Sequence, residues 1–136
     1  MDQNDFNRKM IEQFRANDGV VGASFEGMPV VLLHTTGAKS GKKRINPLMY
    51  LQDGDTIAVF ASYGGAPHHP DWYHNAVANP DITVEVGTDT WPGVARVADR
   101  EERDRLYSIQ AERLPMFAEY ERKTDRVIPV VLLERR

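Results

Sequence analysis

Hydrophobic residues follow two different periods along this chain, and the changes between them predict the order of its elements. Phe6, Met10 and Phe14 recur every four residues, which predicts an amphipathic helix within residues 1–20. Alternating or β-branched runs predict strands at PVVLLHTTG, RINPLMYLQ, TIAVFAS, DITVEVG, TWPGVARVA and IPVVLLE. Helices are predicted at DWYHNAVAN, at REERDRLYSIQAERL and just after Pro115. Asp99 and Glu102 have the spacing of a capping box at the start of the second of these helices. The predicted order is therefore α-βββ-α-ββ-αα-β.

Turn signals between the strands determine how they pair. Asp53-Gly54 predicts a tight hairpin, and strands joined by tight turns are antiparallel. A sheet of about six antiparallel strands tends to curl and close. We therefore expect an α+β fold, a small barrel with helices over its ends, in which Pro47 takes an edge or irregular position. No GxGxxG follows a strand, which disfavours nicotinamide binding of the Rossmann type.

Composition limits the class of protein. The 136 residues are enough for one domain, 1–136, and the hydrophobic content of 41% is that of a globular protein. Without cysteine, disulfides, thiolate chemistry and Cys-based metal sites are excluded. No apolar run reaches the roughly 20 residues that span a bilayer, and the first residues lack a signal-peptide pattern. These features predict a cytoplasmic protein.

Charge is distributed unevenly around the stretch TTGAKSGKKRINP. The net charge is −3, yet residues 27–52 contain no Asp or Glu. The cations of this region are Lys39, Lys42, Lys43 and Arg44. The stretch is not a Walker A loop, because three residues rather than four separate its glycines and no helix follows. A single anionic ligand fits this local positive field, and a solvated hairpin tip is the alternative.

Other motifs of the chain carry less specific chemical signals. The histidines of HHPDWYH lack metal-ligand spacing, and no serine lies in a nucleophile elbow. The stretch ASYGGAPHHPDWYHN combines small residues, which let a backbone approach a flat ligand, with Trp72 and Tyr73, which could form a wall. Core packing is the alternative for Trp72. A cationic hairpin beside such a loop would suit a planar ring with a negatively charged tail.

The elements TTGAKSGKKRINPL, SYGGA, WYHNAVANP and TDRVIPV resemble those of the deazaflavin-dependent nitroreductase family, from about Gly22 to the end of the chain. The resemblance implies a split β-barrel, related to FMN-binding proteins, that binds coenzyme F420 through its phosphate and oligoglutamate tail. It also implies hydride transfer to a quinone or nitro-heteroaromatic acceptor, since the deazaflavin is a hydride donor that reacts poorly with oxygen.

The resemblance further implies which residues contact the coenzyme. The phosphate and acidic tail are expected to contact Lys39, Ser40 and Arg44. One side of the ring system is expected to contact Ile45, Asn46, Pro47, Leu48 and Met49, and its other face or edge Ala61, Ser62 and Tyr63. The residues for the ring or its ribityl chain are Asp71, Trp72, Tyr73 and Asn75, while Phe117 and Tyr120 cover the substrate mouth. Ser62 is expected to hydrogen-bond the reacting edge and Tyr120 to donate a proton to the product. No metal is expected.

The chain departs from the nitroimidazole-activating members, which carry tyrosines at the positions of Met49, Leu114 and Phe117. Quinone reduction is therefore the expected activity. The alternatives are an FMN-dependent split-barrel oxidoreductase and a non-catalytic deazaflavin-binding protein. Nucleic-acid binding is not expected, because the basic stretch lacks interleaved aromatic residues. The first helix is expected to form a lid over the site, and contact with the inner face of the membrane is its alternative.

Overall fold

A computed structural model of the protein describes residues 3–19 and 29–136. Residues 1, 2 and 20 of the predicted first segment lie outside these ranges, and so does Gly22, where the resemblance begins. The described strands are β1 (Val30–Thr36), β2 (Lys43–Asp53), β3 (Thr56–Phe60), β4 (Asp81–Val86), β5 (Asp89–Val97) and β6 (Val130–Arg135). The α-helices are α1 (Gln3–Ala16), α2 (Asp71–Ala78), α3 (Arg100–Arg113) and α4 (Met116–Lys123). The predicted order of elements is confirmed.

The six strands form a closed antiparallel barrel in the order β1-β2-β3-β6-β5-β4. The β2–β3 hairpin pairs Asp53 with Thr56 and turns through Gly54, whose φ of 61° requires the left-handed conformation that glycine adopts without strain. Strand β6, the last in the chain, pairs with both β3 and β5. The α+β barrel predicted from the sequence is confirmed.

Side chains alternate across the barrel wall and so divide the core. Inward-facing residues such as Val31, Leu33, Val84 and Val131 fill the barrel together with Trp72 and Trp91. Outward-facing residues of β2, β3 and β6 are covered by α3 and α4. Because successive side chains along a strand point to opposite faces, β1, β2, β3 and β6 each contribute to both the interior and an outer cluster.

Helix α1 packs its apolar face on the outside of the barrel. Met10 and Phe14 are each 2% exposed and contact Val30 and Leu32 of β1. The face predicted to form a lid or to contact a membrane is therefore largely covered by the protein itself. Contact of this helix with a membrane stays a prediction.

The end of α1 is fixed to β4 by an ion pair. Arg15 donates through Nε and a terminal nitrogen to both carboxylate oxygens of Glu85, at 3.1 and 2.7 Å, and His34 hydrogen-bonds one of these oxygens. The Arg15 hydrogen bond, assisted by His34, holds the pKa of Glu85 below its ordinary value, although partial burial opposes the shift. The contact joins the first helix to the sheet without apolar packing.

This pair predicts a pH dependence of stability. Because the pKa of Glu85 is lower in the folded protein, its stabilisation is complete above pH 4.5, the ordinary value, and is lost as the pH falls through the folded value. Between pH 6 and 3.5 the wild type is expected to lose about 1 kcal/mol more unfolding free energy than Glu85→Gln, as for a partly exposed pair. Urea unfolding at both values measures this. An equal loss in both proteins would contradict it, and Glu112→Gln, an exposed carboxylate on α3, is the control.

Candidate functional site

The cationic loop, residues 38–44, is held by local hydrogen bonds, and its charged side chains remain accessible to a ligand. Gly37 N donates to Lys42 O at 2.8 Å, and the Ser40 hydroxyl oxygen accepts from Lys42 N at 3.2 Å. Lys39, Lys42 and Arg44 are exposed, and within the described ranges none forms an ion pair. The loop is therefore a positive surface that the described carboxylates do not neutralise.

Helix α2 braces the cationic loop. Asn75 Oδ1 accepts from Ala38 N at 2.9 Å, and Asn79 Nδ2 donates to Thr36 O at 3.3 Å. Asn75 was predicted to hold the ring or its ribityl chain, and the structure uses one acceptor position of its oxygen for the loop, so its amide N–H groups and one lone pair remain for a ligand. Contacts between residues 37 and 43 positions apart in sequence thus set the position of the cations.

A buried hydroxyl lies at the base of the same loop. Thr35 is 1% exposed, and its Oγ1 has no hydrogen-bond partner in the described part of the chain. Thr35 follows Val31 and Leu33 in the alternation along β1, so it faces the barrel interior, and its ladder partner Arg44 places it at the end next to the cations. Since an unpaired buried hydroxyl costs free energy, a polar ligand atom here would be stabilising. No pattern in the sequence pointed to Thr35.

The barrel opens beside this end of β2. Pairing of β2 with β3 begins only at Tyr50, so the stretch Lys43–Met49 pairs with β1 alone. We call its free side the β2 edge. It contains Pro47, whose predicted edge position is confirmed, and proline is tolerated here because an edge needs no second ladder partner. After β3 the chain stays with β6, through Ala61 N donating to Pro129 O, and so diverges from β2.

The serine loop, residues 61–66, follows this divergence. Tyr63, Gly64 and Gly65 all have positive φ, at 47°, 62° and 84°, which is unfavourable for the tyrosine. A side chain at Gly65 would place its Cβ 2.8 Å from Lys123 Cβ of α4, so only glycine fits. Arg126 donates to backbone carbonyls of this loop. The loop is thus fixed between α4 and the segment that precedes β6.

Helix α4 supplies aromatic residues above the serine loop. Phe117 is 4% exposed and packs edge-on against Phe60 and Tyr107. Tyr120 is half-buried, and its hydroxyl donates to the Met116 sulfur at 3.4 Å, a weak acceptor. Tyr120 is therefore the more accessible of the two residues that were predicted to cover the substrate mouth.

Buried Tyr107 has a different role. Its hydroxyl donates to Phe117 O at 2.7 Å, and burial raises its pKa above the ordinary value. This tyrosine therefore stays neutral and fixes α4 on α3. It is structural and is not a candidate for proton transfer.

The predicted ring-binding run Ile45–Met49 does not share one face. Ile45 and Met49 lie on the outer face, against α1, whereas Leu48 packs with the barrel interior. Alternation along an extended strand requires this separation. A flat ligand can therefore meet this run only along the β2 edge, and its five side chains do not form a single wall.

The predicted contacts from α2 also differ in accessibility. Trp72 is 5% exposed and lies in the interior cluster, so core packing is its observed environment. Asp71 is exposed, and Tyr73 is half-buried with its ring centroid 4.8 Å from that of His69. The pKa of His69 is lowered by burial and by the charge of Arg126. Among the described residues no group of His, Cys, Asp or Glu could hold a metal ion.

Within the same residues, no helix has both the length and the apolar character needed to cross a membrane.

A closed antiparallel barrel that opens beside the cationic loop and the serine loop defines a protein of the split-barrel class. The family model for F420H(2)-dependent quinone reductases matches residues 6–135. An F420H(2)-dependent quinone reductase of Mycobacterium tuberculosis strain H37Rv is 40% identical over 127 residues, which are 90% of this chain and 85% of the relative. The chain belongs to the F420H(2)-dependent quinone reductase family and is an F420-dependent reductase.

Solved structures agree with this assignment. The F420-H2 dependent reductase FDR-A is 46% identical, has a TM-score of 0.72 and covers 83% of this chain and 100% of its own. A putative pyridoxamine 5'-phosphate oxidase from Listeria innocua is 14% identical with a TM-score of 0.57, covering 79% of this chain and 84% of its own. The second similarity confirms the split-barrel fold alone. The family is named for quinone reduction, so reduction of nitro compounds stays a prediction.

Proposed function

We propose that the acidic tail and phosphate of F420 bind the cationic loop, and that its ring lies between the β2 edge and the serine loop. The observation that carries the proposal is a set of cations without a described ion pair, next to the buried Thr35 hydroxyl, which has no hydrogen-bond partner among the described residues. The buried hydroxyl costs free energy while it is unpaired, and the exposed cations gain charge-assisted hydrogen bonds when an anionic ligand meets them. The chemistry of these residues therefore fits the cofactor.

The loop residues have separable roles in this proposal. Arg44 suits bidentate contact with the phosphate, while Lys39 and Lys42 attract the glutamates from a more exposed position. The Ser40 oxygen already accepts from the backbone, so its hydroxyl proton is what it can offer to the phosphate. A tail of several carboxylates accounts for this number of cations better than the single phosphate of FMN does.

When bound, the reduced deazaflavin supplies a hydride, and the chain's own residues prepare the transfer. The serine loop presents Ser62, whose hydroxyl makes no hydrogen bond within the described structure, to the reacting edge of the ring. Tyr120, bonded only weakly to sulfur, can give a proton to the reduced acceptor. The covering helices exclude water from the acceptor and fix its distance from the donor.

The chemistry of the acceptor side favours a quinone-type molecule. Met49, Leu114 and Phe117 all join the outer apolar clusters beneath α1, α3 and α4. These positions offer no hydroxyl group, so the acceptor site beside them suits an apolar, flat molecule. Stabilisation of the charge that develops on the acceptor oxygen is then left to Ser62 and Tyr120. Reduction of a nitroheterocycle is the second candidate, with fewer polar contacts to orient it.

Binding and turnover together test the proposal. The protein is titrated with oxidised F420 and with FMN by fluorescence, and reduced F420 is then mixed with a panel of quinones and one nitroimidazole. We expect tight binding of F420 alone and fastest oxidation by quinones. FMN binding in preference to F420 would refute the cofactor assignment, and F420 binding without turnover of any acceptor would indicate a storage protein.

Ser62→Ala is expected to slow single-turnover hydride transfer about 2- to 10-fold, since a neutral hydrogen bond contributes roughly 0.5–1.5 kcal/mol. The dissociation constant for F420 should change little, because the contact forms at the reacting edge. Stopped-flow absorbance at saturating acceptor measures the rate. Ser108→Ala, an exposed serine on α3, is the control. An unchanged rate would remove Ser62 from the reaction.

A further inference from the structure

Arg126 lies behind the serine loop and donates almost entirely to backbone carbonyls. Its guanidinium bonds Ser62 O at 2.8 Å, Ala66 O at 2.9 Å and Ala61 O at 3.1 Å. A fourth contact, at 3.0 Å, goes to His69 Nδ1. Because a guanidinium only donates, this imidazole nitrogen accepts, and the proton of neutral His69 lies on Nε2. One side chain thus connects both ends of the serine loop to the turn before α2.

These contacts differ from those of the arginines that form ion pairs in the described part of the chain. Arg15, Arg96 and Arg105 each pair with at least one carboxylate, but no described carboxylate lies within ion-pair distance of Arg126. Partial burial without an anion lowers the pKa of Arg126, so the position costs free energy that a surface ion pair would not. The presence of a half-buried arginine without a described counter-ion is therefore best explained by the backbone carbonyls that it binds.

What it holds is a strained backbone. Tyr63 has a φ of 47° and is followed by two glycines of positive φ, while Gly65 N and Ala66 N donate to Ser62 O and Tyr63 O. Local hydrogen bonds alone fix only this small turn. Arg126 lies just before β6 and binds both the serine loop and His69, so it fixes the loop relative to β6 and to the turn before α2.

We infer that Arg126 is a positioning residue for hydride transfer: by binding the carbonyls of Ala61, Ser62 and Ala66 it sets where the Ser62 hydroxyl meets the bound deazaflavin. The inference rests on the proposed function. A displacement of about 1 Å at a reacting centre can cost 100-fold in rate, so loss of this clamp acts mainly on the transfer step. Lysine cannot replace it, because one ammonium lacks the planar fork that reaches three carbonyls.

The test compares Arg126→Lys, Arg126→Met and Arg105→Met, the last removing an arginine that pairs with Asp53 at the distant β2–β3 turn. Hydrogen exchange of the peptide that contains Gly65 and Ala66 reports the loop without any cofactor. We expect its exchange to accelerate at least tenfold in both Arg126 variants and to be unchanged in Arg105→Met. Single-turnover hydride transfer should fall about 10- to 100-fold, with F420 affinity within about threefold of wild type.

Three results would overturn the inference. The first is wild-type loop protection in Arg126→Met, and the second is a rate in Arg126→Lys equal to that of wild type. The third is a rate loss that saturating F420 restores, which would assign Arg126 to binding. If Arg126→Met does not fold, Arg126→Lys alone decides. Wild type that neither binds F420 nor reduces a quinone would refute the proposed function, and loop exchange would still show separately whether Arg126 holds the loop.

Discussion

Replacing Arg44 by alanine is expected to raise the dissociation constant for F420 about 10- to 100-fold at low salt. A hydrogen bond to a charged group contributes roughly 1.5–3 kcal/mol, and Arg44 has no described carboxylate to which it could instead be paired. The loss should shrink as salt rises, because exposed charges are screened within about 10 Å at 0.1 M ionic strength. Fluorescence titration at two salt concentrations measures both effects.

Arg113→Ala provides the matched control for Arg44. Arg113 is an exposed arginine at the end of α3 with no described ion pair, so its removal changes the net charge equally but leaves the cationic loop intact. F420 affinity should change by less than about twofold in this variant. Equal weakening by both substitutions would show that only the overall field matters. No weakening by either would make the cationic loop a solvated turn.

Trp72→Ala is expected to lower the free energy of unfolding by about 3–5 kcal/mol, the usual cost of emptying a large aromatic site in a core. The indole is 5% exposed and packs in the interior cluster with Val31, Leu33 and Val131. Stability in this range is a large part of what a small domain possesses, so partial unfolding near body temperature should follow. Urea unfolding followed by circular dichroism measures the change.

The same experiment decides between the two interpretations of Trp72. Trp72→Phe retains most of the apolar volume and should cost less stability than Trp72→Ala. Tyr73→Ala, which removes a half-buried neighbouring ring, is the second comparison. If Trp72→Ala loses less than about 1 kcal/mol but no longer binds F420, the side chain is a ligand contact and its assignment to the core is wrong.

Local patterns sufficed to predict the elements of this fold. The alternation in DITVEVG, the four-residue spacing of Phe6, Met10 and Phe14, and the capping residue Asp99 each act within a few residues of chain. Asp99 indeed accepts from Glu102 N at 2.9 Å, as its spacing predicts. Such signals are readable because backbone conformation depends mainly on near neighbours.

The candidate site could be predicted only in part, because its geometry depends on residues distant in sequence. The cationic loop was evident from charge alone, but its brace by Asn75 depends on tertiary contact. Arg126 belongs to the element TDRVIPV, but its role could not be predicted, because its hydrogen-bond partners lie 57 to 65 positions earlier in the sequence. Thr35 gave no signal either, since a threonine in a strand is ordinary until its burial is known.

The alternation along β2 has a consequence for how this protein can diverge. Ile45 and Met49 contact the helices outside the barrel, while Leu48 contacts the interior. Mutations at the first two positions therefore alter the surface beneath the helices without emptying the barrel, and each can be selected separately. A lineage built on this strand can therefore change the residues beneath its helices one at a time while the barrel interior is kept.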